Sequence, residues 1–535
     1  MSKNIVDRNF FSFLREDQII SEEENLKFHS KSTLPDQNTP HLILFPETVE
    51  ETQNIVRICA QKEIPIWYVS TGKNWGYGCR SASYSGGVTL ILDRLKKIIE
   101  VDESLGYAVI EPGVSYADLY AYLEKKQISL WTDAAGSTES ASIIGNALDK
   151  GRGLTPYADH FGMLCGFDVI LPNGELLSTS PSENFQCRHT YKWSLGPYLD
   201  GLFGQSNLGI VVKAGIWLMP KPKNFVFFAF EYTVSNDKFS QFIDTFRNLF
   251  FENGLLSRPH LANDFAMLCI VDRYPKHLLS EKELKLSTAA LEQWKKQHGI
   301  AQWTFGGGLY GTKSQIRAQK KLIRQHLASF GKLRFVPDSN SHGLFGKILE
   351  KLIILGARIE GKSQQFVSQI FPARDLFKGK PTDEFAKQVY FKSEKPRPTD
   401  SFIPANDDCG FIWTGPLVPF TGEHAERVLS LGKEVFEEYQ FDFFVELIVE
   451  SPRTLIALFG VFFDPQIPSE KDRARSWYKS IHQKMSDAGY IAYRETPYST
   501  AAALDGNPAL KKFFSDIKGT VDPKKIFAPG RYGIF

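Results

Sequence analysis

At 535 residues the chain is longer than one ordinary core organises, so two or three domains are expected. Hydrophobic residues make up 42% and charged residues 23%, ordinary for a globular protein in water. Lys plus Arg number 63 against 61 for Asp plus Glu, a formal +2 that argues against a nucleic-acid or membrane-surface function. The six cysteines (Cys59, Cys79, Cys165, Cys187, Cys269, Cys409) are scattered without a CxxC pair, so neither a zinc site nor a disulfide framework is expected. The first twenty residues carry early acids and lack the apolar core of a secretory signal, and no apolar run reaches membrane-spanning length. The expectation is a protein of the cytoplasm, with no metal.

Residues 1–40 read as a polar arm with a helix. Leu42–Pro46 reads as a strand, and 48–61 carries apolar residues at helical spacing behind Thr48, a plausible N-cap with Glu51 three residues on. A second strand over 65–69 completes a βαβ unit and opens into Ser70-Thr71-Gly72-Lys73-Asn74-Trp75-Gly76-Tyr77-Gly78. Glycines let backbone N–H groups turn toward an anion, while hydroxyls and an ammonium add donors, so the loop suits a diphosphate. A polar surface turn is the other reading of these residues alone.

Strands follow over 88–92, 98–101 and 107–110, then a Glu111-Pro112-Gly113-Val114 turn and a helix over 116–125. Residues 132–160 are poor in large side chains, which suits backbone lying against something large and flat. A hairpin is expected around Pro172-Asn173-Gly174-Glu175, and Gly204–Gly209 turns into another strand. Pro220-Lys221-Pro222-Lys223 marks a domain boundary. Beyond it, β-rich runs (225–232, 266–271, 410–413, 443–449, 455–463) alternate with amphipathic helices (281–297, 315–330, 425–439), an α+β domain with an antiparallel sheet.

In this order and spacing the motifs STGKNWGYG (70–78), EPGV (111–114), IIGNA (143–147), TPYADH (155–160), PNGE (172–175), GQSNLGIV (204–211), Tyr493-Arg494 and VDPKKIFAPGRYG (521–533) resemble flavoproteins of the vanillyl-alcohol oxidase and 4-cresol dehydrogenase family. The resemblance covers about residue 40 to 535. It implies an α+β fold: a two-subdomain FAD-binding domain (41–222, completed by 496–535) and an α+β cap (223–495). No GxGxxG fingerprint follows the first strand, which disfavours a Rossmann fold.

By the same resemblance FAD would be held by Ser70, Thr71, Gly72, Lys73, Asn74, Trp75, Gly76, Tyr77, Pro112, Gly113, Ser142, Ile143, Gly145, Asn146, Asp159, Gly204, Gly209, Ile210, Val211 and Arg531. A phenolic substrate would be bound as its phenolate by Tyr77, Tyr493 and Arg494, and a hydride would pass from its para benzylic carbon to the flavin. Asp159 falls where the family has a carboxylate facing the flavin; the alternative for it is a helix N-cap or a partner of His160. Glu446, mid-strand among apolar residues, matches an active-site glutamate of the cresol dehydrogenase.

Two departures stand out. The segment where relatives attach flavin covalently, here 400–416, holds no His or Tyr and has Phe411 near the attachment position, so FAD is expected to be non-covalent, with Tyr390 as the fallback linkage. The histidine pair expected on the strand after Glu446 is replaced by Thr454-Leu455-Ile456. The resemblance further implies O2 or a cytochrome c-like electron-transfer protein as acceptor, and a homodimer or larger assembly. Competing readings are a flavoenzyme of an aliphatic alcohol, sugar or lactone, and a flavin-binding protein without catalysis.

Overall fold

The computed structural model describes residues 6–280, 283–338, 343–395 and 402–535. The first sheet is built by the expected βαβ unit. Strands Leu42–Leu44 and Ile66–Val69 flank Val88–Ile91 in parallel, and Ile19–Ile20 pairs antiparallel on the outer edge. Helix Val49–Lys62 joins the first two of these, and the Thr48 hydroxyl accepts the Glu51 N–H at 3.0 Å as its cap. It buries Ile55, Val56 and Cys59 against the sheet. The second sheet is antiparallel, in the order Ile98–Asp102, Tyr107–Ile110, Ile210–Trp217, Leu164–Ile170, Leu176–Ser178.

After strand Met219–Pro220 the chain enters a larger antiparallel sheet at Asn224–Tyr232. Its strand order is Gly331–Pro337, Asn224–Tyr232, Trp303–Gly311, His260–Asn263, Phe444–Ser451, Thr454–Phe463, Gly410–Thr414, with Leu417–Pro419 pairing beside Thr454–Phe463. Successive side chains of a strand point to opposite faces, and here the two faces have different chemistry. Phe228, Phe230, Phe305, Val445, Leu447, Val449, Leu455 and Phe459 point to helices Phe239–Phe251, Lys313–Leu327, Gly422–Glu438 and Pro468–Asp487, forming one aromatic-rich core. Ala229, Glu231, His260, Ala262, Glu446 and Ile448 point the other way, into a cavity.

Two expectations are corrected. Residues 266–271, expected as a strand, lie in helix Asp264–Val271, capped by the Asn263 side chain accepting the Ala266 N–H at 2.9 Å. The run Phe265 to Val271 is almost wholly buried, so it shows no polar face from which a period could be read. The helix expected over 281–297 begins later, at Thr288–His298 behind the Ser287 cap, and residues 281 and 282 lie outside those described.

The termini tie the parts together. In the N-terminal arm, the Thr33 hydroxyl accepts the Gly76 N–H at 2.8 Å, Leu34 enters the cap core, and Asp36 pairs with Arg475 at 2.6 Å on helix Pro468–Asp487. At the other end, helix Pro508–Val521 carries Lys518, fully buried, 2.8 Å from the buried Asp522 carboxylate. Its ammonium also donates to the carbonyls of Asn207 (2.7 Å) and Phe527 (2.9 Å), while Phe527 bridges to Ile66 of the first sheet. Removing one member of such a pair leaves a buried charge alone. Lys518→Met is therefore expected to cost about 3–5 kcal/mol of stability, measured as a fall in the denaturant midpoint.

Candidate active site

The half built on the first two sheets and the domain built on the larger sheet enclose a cavity of about 710 Å³. Its floor is the glycine loop stitched to two neighbouring turns. Ser142 donates its hydroxyl to the Pro112 carbonyl (2.6 Å) and accepts the Gly145 N–H (2.8 Å), while its own N–H reaches Thr71 Oγ1 at 3.2 Å. Ser70, Thr71, Gly72, Lys73, Asn74, Trp75, Tyr77, Pro112, Ser142, Gly145, Asn146, Gly209, Ile210, Val211 and Arg531 all line the cavity. Lys73 Nζ has the Phe402 carbonyl at 3.4 Å, and burial pulls its pKa below that of an ordinary lysine. An anion beside it would relieve that burial. A Cβ on Gly145 would sit 1.9 Å from Ser70 Oγ, so side-chain-free backbone faces the cleft there. A buried ammonium in a glycine-walled trough suits a diphosphate followed by a flat ring system.

Gly76, Gly113, Ile143 and Gly204 stand behind this wall. Gly76 has φ +76°, and a Cβ there would lie 2.1 Å from the Trp413 ring; a Cβ on Gly113 would strike the Leu95 carbonyl at 2.5 Å. Ile143 packs into the domain core, and the Phe161 ring lies against Gly204. These four shape the loops rather than line the site.

Tyr77, Tyr493 and Arg494 converge in the cavity wall. The Arg494 carbon Cζ lies 5.0 Å from the Tyr77 ring centre and 5.2 Å from that of Tyr493, and the two rings meet edge-on at 6.4 Å. Arg494 is held from behind: Nε donates to the Asp149 carbonyl (2.9 Å) and Nη1 to Asn74 Oδ1 (3.1 Å), with the Asp149 carboxylate 3.4 Å from Nε. Burial opposes its charge, but the neighbouring Tyr493, Asp149 and Tyr77 together hold its pKa above that of a free guanidinium. The Tyr77 hydroxyl and Arg494 Nη2 are buried with no hydrogen-bond partner. Burial first, then Tyr493, raises the Tyr77 pKa well above the ordinary phenol range, so this hydroxyl is a donor.

Asp149 is one of the residues that sequence reasoning missed. It takes a 2.7 Å hydrogen bond from Asn74 Nδ2 and another from the Tyr532 hydroxyl, whose pKa burial and Asp149 push upward. Tyr532 sits at φ +55°, a strained position for a tyrosine that faces the cavity. The only sequence signals were an acid beside IIGNAL and a tyrosine inside a glycine-bracketed tail.

The opposite wall is the polar face of the cap sheet. Glu446 is buried on strand Phe444–Ser451, 3.4 Å from His260 Nδ1 on the adjoining strand; His260 Nε2 is buried without a partner. His260 thus stands beside Glu446 although the strand after Glu446 has none. Glu450, on the same face, pairs with Arg152 of the other domain, whose Nε also lacks a hydrogen-bond partner. Burial lowers the Arg152 pKa.

The expectation for Asp159 is revised. Its side chain is 55% exposed, accepts the Gly162 N–H at 2.9 Å as cap of helix His160–Met163, and lies 3.1 Å from Arg152 outside the cavity lining. A polar side chain preceding a helix finds its donor in the helix's own free N–H groups, and that pull wins here. His160 instead joins Asn146 Oδ1 (2.6 Å) and Asp133 (3.2 Å) beneath the floor. Tyr390, the fallback attachment point, turns its hydroxyl to Asp407 at 2.5 Å and is not in the cavity wall.

A profile for the FAD binding domain matches residues 40–180. The chain is 31% identical over 494 residues to 1'-carboxy-chondrochloren decarboxylase of Chondromyces crocatus, covering 92% of this chain and 90% of that one. It is 29% identical over 541 residues to the 4-cresol dehydrogenase [hydroxylating] flavoprotein subunit of Pseudomonas putida, covering 98% and 95%. The crystal structure of p-cresol methylhydroxylase with substrate bound superimposes with a TM-score of 0.86 at 28% identity, covering 98% of this chain and 95% of that one. The chain belongs to the vanillyl-alcohol oxidase and 4-cresol dehydrogenase family of flavoproteins. A 4-ethylphenol oxidase from Gulosibacter chungangensis in complex with isoeugenol gives the same TM-score, 0.86, at 25% identity, with 98% and 96% covered.

As a member of that family the protein is an FAD-dependent oxidoreductase, and FAD is the group its glycine-walled trough fits. Gly76 also carries the cap, since its carbonyl accepts the Trp413 N–H at 3.2 Å. Gly76→Ala strains the backbone and drives a methyl into a rigid indole. It is expected to lower stability by on the order of 2 kcal/mol, seen as a lower melting temperature with reduced FAD content.

Proposed function

We propose that the protein oxidises para-substituted phenols, 4-alkylphenols or 4-hydroxybenzyl alcohols, at the benzylic carbon. The observation that carries this reading is the pair of buried, unpartnered donors, Tyr77 Oη and Arg494 Nη2, on two residues that line one cavity with the Arg494 Cζ 5.0 Å from the Tyr77 ring centre. A phenol oxygen there accepts both. A free phenol titrates near ~10; a permanent positive charge and a hydroxyl donor favour the phenolate and lower that value. The phenolate pushes electron density through the ring to the para carbon and weakens its benzylic C–H bond toward loss of hydride. FAD, when bound, supplies the two-electron acceptor. For a 4-alkylphenol the oxidised substrate is a quinone methide; the oxygen of a water bonds its benzylic carbon while the exocyclic C=C electron pair moves through the ring to the phenolate oxygen. The Glu446–His260 pair takes the proton from that water as the phenol ring regains its aromaticity.

We infer that FAD is held without a covalent link, since Phe411 and Trp413 wall the cavity where relatives carry an attachment residue and Tyr390 faces Asp407. Anaerobic mixing of the FAD-loaded protein with 4-alkylphenols is expected to bleach the flavin band. Arg494→Ala should slow that bleaching by about 100-fold to 1,000-fold, the scale for losing one preorganised donor to a developing oxyanion. Bleaching by aliphatic alcohols or lactones and by no phenol would sink the proposal. Acid precipitation should release the yellow colour, and the rate of its return in air separates O2 from an electron-transfer protein as acceptor.

Arg152 favours a second substrate type. Arg152 lines the same cavity as the trio and, beside its pairs with Asp159 and Glu450, keeps a buried Nε without a partner, which suits a carboxylate on the para side chain; one relative is itself a decarboxylase. For a 3-(4-hydroxyphenyl)propanoate, hydride loss gives a quinone methide bearing CH2–COO⁻. Breaking its C–COO⁻ bond releases CO2 and returns the electron pair to the ring as 4-vinylphenolate. That substrate is expected to yield 4-vinylphenol and CO2 in equal amounts. Arg152→Leu should raise its KM about tenfold or more while leaving 4-ethylphenol little affected, and equal effects on both would discard the reading.

A further inference from the structure

Helix Gly343–Ile359 has two apolar faces. Ile353, Gly356 and Ala357 on its inner side line the cavity, and Ile353 also packs against the core of the FAD-binding half. On its outer side Ile348, Leu352, Leu355 and Ile359 are 49%, 59%, 54% and 77% exposed. At 3.6 residues per turn these four fall within roughly 60° of arc, so they form one continuous stripe. Aliphatic side chains this exposed occur singly on most surfaces; four in register on one helix mark a surface that is covered in use.

What covers it is indicated by the charges alongside. Lys347, Lys351 and Arg358 are exposed and follow one edge of the stripe. The acids nearby are already paired: Glu350 lies 3.1 Å from the buried Arg374, and Glu360 is bonded to Arg334. A two-fold contact with these helices antiparallel and face to face would set the basic edges on the same side of the seam. An apolar stripe bordered by lysine and arginine instead has the pattern of a helix lying in the plane of an anionic bilayer surface, its apolar side among the acyl chains and its cations among the phosphates. No helix among the described residues is long and apolar enough to cross a membrane, so the contact would be a superficial one.

We propose that helix Gly343–Ile359 docks the protein on an anionic lipid surface. The whole-chain charge of +2 gives no hint of this, because the basic residues concerned are local to one edge. Docking would leave one helix, about 10 Å across, between the bilayer and the cavity.

The test is flotation of the full-length, FAD-loaded protein with vesicles of phosphatidylcholine and phosphatidylglycerol in 3:1 ratio, beside vesicles of phosphatidylcholine alone. The protein should float with the anionic vesicles at low salt and at least tenfold less at 0.5 M NaCl. It should be lost from them in Leu352→Glu/Leu355→Glu, with flavin content unchanged. Should that variant not fold, the charge reversal Lys347→Glu/Lys351→Glu/Arg358→Glu on the rim gives the same reading. Light scattering on the same samples is the second measurement. Wild-type protein that stays in solution with both vesicle types overturns the proposal. So does a mass that halves in the glutamate variants, which would make the stripe a contact between copies.

Discussion

The buried charge of Arg494 is the constraint around which this protein is arranged. A guanidinium away from water is costly unless its donors are satisfied and counter-charge is near. Asn74 from the glycine loop, Asp149 from the small-residue segment and the faces of Tyr77 and Tyr493 meet that demand, and Tyr532 fixes Asp149 in turn. Those residues come from four distant parts of the sequence. Satisfying one cation therefore requires the cofactor loop, the small-residue segment, the bend after helix Pro468–Asp487 and the C-terminal return all to be in place. One donor is left over, and that remainder is what a substrate oxygen can use.

Much of the architecture could be read from local patterns because those patterns have local causes. The Thr48 cap, the helix Tyr116–Lys125 behind its Ser115 cap, the turn at Pro172–Glu175 and the β-rich run 225–232 each rest on residues close in the chain. The run 266–271 failed because burial on every side erases periodicity, which is the one signal that separates a short helix from a strand. The late start of helix Thr288–His298 is the familiar uncertainty of a helix end, decided here by the Ser287 cap.

The site was legible where chemistry restricts residue types. Tyr77, Tyr493 and Arg494 meet as the motifs imply, and most of the expected cofactor residues face the cavity. Asp159 was misassigned since a carboxylate one residue before a helix satisfies two descriptions, and sequence does not say which donor it faces. Asp149, His260 and Arg152 were missed because each acts through a partner far away in the chain. His260 and Glu446 are neighbours only through strand pairing across a gap of nearly two hundred positions, a register that no short motif encodes.

The two-sided cap sheet has a consequence for how such a protein can change over generations. Phenylalanines and branched aliphatics on one face carry the packing, while the residues that line the cavity stand on the other. Because alternate positions of a strand do not touch, an exchange at Ala262, Ile448 or Leu458 reshapes the cavity without opening a void beneath the helices. Tolerance and novelty are thereby assigned to opposite sides of the same strands. The shape of the cavity can drift one residue at a time, with the scaffold indifferent to the outcome.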